Sequence, residues 1–135
     1  MTPPARVQPG GAAEARNRRL IAEKYLEVAL LAAATEQSPA ANNVVVGTCV
    51  LAGIAGGDAI CLTAIGQRYA GQDHAEAARF LGKVDRLAGN RLASLVRMKP
   101  IAHYGSGFVS NEDRLRALRA AEALVEDAVS RTTGG

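Results

Sequence analysis

The sequence predicts an all-α fold, an antiparallel bundle of four to five helices running up and down. Three observations lead there. Apolar residues recur at helical spacing through most of the long segments. Short clusters of turn-forming residues, QSPAANN (37–43), GQDH (71–74) and HYGSGF (103–108), separate those segments. The chain is 48% apolar but only 4% aromatic, so its core has to come from Ala, Leu, Val and Ile, which suits closely packed helices. Its 135 residues suffice for one domain, expected over 13–130, with flexible tails at 1–12 and 131–135.

Each element has its own signal. Leu20, Ile21, Tyr25, Val28 and Leu31 repeat at helical spacing and predict a first helix over about 13–36. Residues 44–69 follow, the most apolar stretch, with Asn42 or Asn43 as its cap and Asp58 as the one charge over 44–65. A membrane span would place Asp58 deep in lipid at about 3 kcal/mol, so a central helix buried on most sides is the better reading. Gly53, Gly56 and Gly57 would let a neighbouring helix or a second subunit come close. Asp73 with Glu76 opens a third helix that carries Ala77, Leu81, Val84, Ala88, Leu92 and Leu95 on one face. Gly89-Asn90 is expected to bend it, and Pro100 to end or kink it near Arg97. Ser110 with Asp113 starts a fourth helix, with Leu115, Leu118, Ala121, Leu124 and Ala128 as its stripe. No strand and no internal repeat is evident.

The net charge of +3 permits contact with nucleic acid without requiring it. Cys49 and Cys61 fall in one expected helix, about 18 Å apart along its axis, too far for a bridge. Two cysteines and two histidines without metal-ligand spacing predict no metal, and no motif predicts a cofactor. No basic run followed by a short apolar one opens the sequence, which predicts a cytoplasmic protein with no membrane partner.

RMKPIAHYG (97–105) holds the residues best suited to chemistry. Arg97 offers a permanent charge and a fork of donors that fits a phosphate, and His103 can move a proton near neutral pH. Metal-free cleavage of RNA needs both abilities. On an unbroken helix, six residues would set the two side chains about 120° and about 9 Å apart. A break at Pro100 would let His103 turn back toward Arg97. The plain alternative makes Arg97 a cation in a last helical turn and His103 a loop residue. Asp58 could orient His103 or hold Arg97, or it could form a buried salt bridge or sit on an exposed helix edge. Lys99 could contact phosphate, and Tyr104 and Ser106 could position a substrate. His74, beside the capping Asp73, reads as a cap-region residue.

Arg97, five intervening residues, His103 and Tyr104, at the end of the third long helix, resemble the signature of the HEPN domains, small all-helical bundles of bacterial toxins and defence systems. GIAGGDAICL (53–62) with GQDH (71–74) looks like the second helix and following turn of actinobacterial HEPN-like proteins, and the similarity extends over about 14–130. Met98 stands where active members carry a small polar residue. The resemblance implies a metal-independent endoribonuclease, toxin-like or RNA-processing, that works as a homodimer with two motifs facing one another. Arg97 would stabilise the phosphorane and His103 would act as base or acid on an RNA substrate. A nucleotidyltransferase-type antitoxin is the implied partner. The alternative it carries is a non-catalytic helical module for dimerisation or for binding a partner protein or nucleotide.

Overall fold

The computed structural model describes residues 6–35 and 37–134, and its fold is an all-α bundle with one small sheet. Five helices make up the bundle: α1 (Ala12–Thr35), α2 (Pro39–Ile65), α3 (His74–Val84), α4 (Arg86–Tyr104) and α5 (Asn111–Thr133). Two three-residue strands, β1 (Val7–Pro9) and β2 (Gln67–Tyr69), pair antiparallel with Val7 opposite Tyr69. Part of the segment expected as an N-terminal tail is therefore a strand, and so is the end of the expected second helix. The pair forms because Gly66 turns the chain out of α2 in a left-handed conformation (φ 68°) that disfavours any side chain. Its carbonyl accepts from Gly10 N–H at 3.0 Å, which ties the two strands at their base.

Several boundaries differ from the sequence expectation. α2 begins at Pro39, not 44: Ser38 Oγ accepts from Ala41 N–H at 3.2 Å, and Pro39 suits the first turn because its missing N–H would lack a helical partner anyway. The expected third helix is two helices, broken at Asp85 rather than bent at Gly89. Asp85 lies extended (φ −151°, ψ 111°), donates its N–H to Leu81 O, and accepts from Ala88 N–H at 3.0 Å through its carboxylate. One residue thus caps the end of α3 and the start of α4. Gly89 serves packing instead, since a Cβ there would fall on the Cα of Gly82. α4 runs through Pro100 without ending; the proline forgoes one hydrogen bond and the helix continues to Tyr104. Ser110 caps α5 as expected, accepting from Asp113 N–H at 3.1 Å, but α5 extends to Thr133 through the expected tail. Residues 1–5, Glu36 and Gly135, also within the expected tails and first helix, lie outside the described residues.

α2 is the axis of the bundle, and the other four helices pack around it. By length and composition it is the one described helix able to cross a membrane, yet 78% of its most apolar window is buried inside the fold. Its glycines are filled from within the same chain: Leu95, Leu92 and Leu124 close on Gly53, and Leu81 and Leu92 on Gly57. They are therefore not free to receive a second subunit. α1 packs through Ala15, Ala22 and Ala29, one face at seven-residue spacing. The larger residues that marked α1 as a helix turn outward: Leu20, Ile21, Val28 and Leu31 are 40–64% exposed.

The fit at Gly53 is testable. A Cβ on Gly53 would lie 2.5 Å from Leu95 Cδ1. Gly53→Ala should destabilise the fold by about 1–3 kcal/mol, outweighing the roughly 1 kcal/mol that alanine gains in helix propensity. Leu95→Ala alone should cost about 2–5 kcal/mol. In urea unfolding, the double variant should lose less than the sum of the two; strict additivity would refute the contact.

Candidate functional site

The far end of α4 is held by α2 rather than by its own connection. Asn42 and Asn43, expected as helix caps, instead reach across to the α4–α5 link. Asn42 is buried and donates to Val109 O at 3.0 Å and Asn111 Oδ1 at 2.8 Å. Asn43 donates to Gly107 O at 3.1 Å and Ile101 O at 3.4 Å, and accepts from Val109 N–H at 2.8 Å. These bonds satisfy a carbonyl of the last turn of α4 and fix the chain beyond it.

His103 sits on that fixed end. Its imidazole lies against Gly47 of α2, with Nε2 2.9 Å from where a Cβ would stand. A cavity of about 300 Å³ between α2 and α4 opens beside it, lined by Val44, Thr48, Leu51 and Ala102 among others. The Tyr104 ring is 5.9 Å from the imidazole and mostly exposed. Lys99 is one helical turn earlier on the same side of α4, half-buried. His74 arrives from the start of α3. Burial, then the charge of Lys99, hold its imidazole below the usual histidine range; Asp73 opposes them and His103 adds to them. The charges of Lys99 and His103 on α4 thus reach His74 at the start of α3. Ser106 is exposed on the loop that follows.

Arg97 is on a different side of α4 from His103. Because Pro100 does not break α4, the two side chains keep the helical separation of about 120° and about 9 Å. Arg97 is exposed and borders two other cavities, one of about 280 Å³ between α3 and α4, the other of about 410 Å³ toward α5. A single chain does not bring Arg97 and His103 onto one atom. Met98, between them in sequence, faces the core and is 9% exposed.

Asp58 is also elsewhere. It lies eleven residues along α2 from Gly47, about 16 Å, and orients neither His103 nor Arg97. Its carboxylate accepts from Arg18 Nε of α1 at 3.1 Å and is 3.7 Å from Arg68 of β2. This is the buried salt bridge among the readings the sequence left open. Burial pushes its carboxyl up to about 6, against the lowering pull of the two arginines. Cys49 and Cys61 are unbridged and buried, and burial raises both thiols to about 12. Among the described residues, no three His, Cys, Asp or Glu side chains gather as a metal site would need.

Two outcomes follow from this geometry. Gly47→Ala should push the imidazole of His103 off α2 while leaving the helices intact. With two histidines in the chain, NMR reads this directly as a shifted His103 ring signal beside an unchanged helical circular dichroism; an unmoved signal would contradict the contact. Asp58 makes a pH-dependent contribution. Its folded pKa of about 6 exceeds the unfolded value near 3.9, so its contribution is complete below about pH 4 and is lost as pH rises through 6. Relative to Asp58→Asn, the wild-type chain should therefore lose on the order of 2–3 kcal/mol of unfolding free energy between pH 4 and pH 7. A constant difference would show that the arginines fully offset burial.

Neither the models of known protein families nor the curated proteins nor the solved structures include a match to this chain.

Proposed function

We propose that the protein is a HEPN-type, metal-independent endoribonuclease acting as a homodimer, with its proton-transfer groups at the open end of α4. The observation that carries this reading is the imidazole of His103 seated on Gly47 beside an open cavity, with Lys99 one turn earlier on α4 and His74 within reach of both charges. In the proposed reaction, one imidazole takes the proton of a ribose 2′-OH. The 2′-oxygen bonds to phosphorus, the bond from phosphorus to the 5′-oxygen breaks, and the other imidazole protonates that leaving oxygen. The products are a 2′,3′-cyclic phosphate and a 5′-hydroxyl. His74, kept neutral more readily by its burial and then by the charge of Lys99, suits the base, which leaves the acid to His103. Lys99 balances the charge that builds on the phosphorane. Arg97 lies about 120° round α4 from His103 on its own chain, so in this reading it serves the same phosphate from a second copy. That is a reason for the homodimer within this reading. A nucleotidyltransferase-type antitoxin is the partner the family resemblance points to.

A second reading is a non-catalytic helical module that dimerises. It draws on the exposed apolar residues of α1 and α2: Ile21, Val28, Leu31, Val44 and Leu51 are each at least 38% exposed.

Purified protein should cleave single-stranded RNA in the presence of EDTA. His103→Ala should lower the rate about 10²–10⁴-fold and Lys99→Ala less. RNA left intact by the wild-type chain, or cut equally by His103→Ala, would overturn the first reading. Val28→Glu with Leu51→Glu should shift the molecular mass in sedimentation from dimer to monomer if the second reading holds; an unchanged mass would reject that face as the interface.

A further inference from the structure

The α3–α4 hairpin holds a groove that the chemistry at the end of α4 does not use. The two helices touch backbone to backbone where Gly89 meets Gly82, and the groove of about 280 Å³ runs along their outer edges. Its floor is made of alanine and glycine, with Val96. Its rim carries Asn90 together with Arg79, Arg86 and Arg97. Arg86 and Arg97 are eleven residues apart on α4, which sets cations about 16 Å apart along the groove. Among the described residues, no carboxylate lies within ion-pairing distance of Arg86 or Arg97, and all three arginines are exposed. Arg79 is paired with Glu76 at the surface, where such a pair is easily exchanged for a phosphate.

Charge is concentrated on this hairpin. Residues 74–104 contain six Lys and Arg (79, 83, 86, 91, 97, 99) against Glu76 and Asp85, a net of +4, whereas the whole chain carries +3. The remaining residues are thus net −1. Asp85 is moreover already engaged by Arg131 of α5. A long groove with a smooth apolar floor and cations at both ends fits a polyanion with flat apolar groups along it. A small anion would engage one end only. Guanidinium groups hold phosphates by paired donors and stack on bases, and a cleft between two touching helices admits one strand more readily than a duplex.

We infer that the α3–α4 groove is a binding track for single-stranded RNA that leads the strand along Arg86 and Arg79 to Arg97 at the threshold of the α4 end. The inference takes its ligand from the ribonuclease reading, but the track can be tested without cleavage. Full-length protein is titrated against a fluorescent, 2′-O-methylated 12-mer, which cannot undergo 2′-oxygen attack, at several salt concentrations. Arg86→Ala and Arg79→Ala should each weaken binding several-fold. Each should also reduce the slope of log affinity against log salt by about 0.7, the value for one lost phosphate contact on a single strand. Both side chains are exposed, so unchanged circular dichroism serves as the folding control. Arg86→Glu with Arg79→Glu should abolish binding, and a duplex of the same sequence should compete weakly.

Wild-type affinity and slope in the alanine variants would overturn the track, as would a mononucleotide competing as well as the 12-mer, which would mark a small-ligand pocket. A parallel cleavage assay separates the two ideas. Groove variants that weaken binding of a strand the wild-type chain does not cut would leave the track standing and remove the ribonuclease reading. His103-dependent cutting with an unchanged KM in Arg86→Ala would do the reverse.

Discussion

Close approach to α2 is the constraint on which the molecule depends. Four helices share one central helix, and each must reach it with side chains that fit over glycine or alanine. Leucines from α3, α4 and α5 do so at Gly53 and Gly57, while α1 meets it through a row of alanines. With few aromatics available, packing of small against branched residues replaces the filling of space by large rings. The arrangement brings α1 so near that Arg18 can reach a carboxylate in the middle of α2. The charge at Asp58 is tolerated because α1 and β2 both deliver a cation to it, and the small sheet can be understood as the device that brings Arg68 there.

The same axis positions the candidate site. Asn42 and Asn43 belong to the first turns of α2, yet their partners are at residues 101–111. His103 rests on Gly47, one turn further along. The end of α4 is thus registered against the core by three successive contacts from α2, which under the proposed reading would hold His103 at a constant distance from a bound phosphate.

Much of the fold could be read from the sequence because helical periodicity and caps are local. The all-α class, the central burial of 44–65 and the Ser110 start of α5 all follow from residues within a few positions of one another. What was not legible depends on partners distant in sequence. Nothing near Asn42 shows that its amide will be used at Val109. Nothing near His74 links it to Lys99, since that approach exists only after the chain folds back at Asp85. Pro100 misled for a related reason: the local preference against helix is real, but packing of Leu95, Met98 and Ala102 on either side of the proline overrides it. The stripe of Leu20, Ile21, Val28 and Leu31 located α1 but not its buried face, because leucine and isoleucine signal burial more strongly than alanine, although alanine is what a close helix crossing requires.

Asp85 has a consequence for how the protein can respond to what it binds. A single residue joins α3 to α4, and its backbone and side chain are both committed to capping, while Arg131 holds its second carboxylate oxygen. Opening or closing the two helices relative to one another would disturb both caps and the tie to α5. Together with the backbone contact of Gly82 and Gly89, this ties the width between them to the packing of α5, so a strand held there would be selected by its cross-section at little cost in conformational freedom.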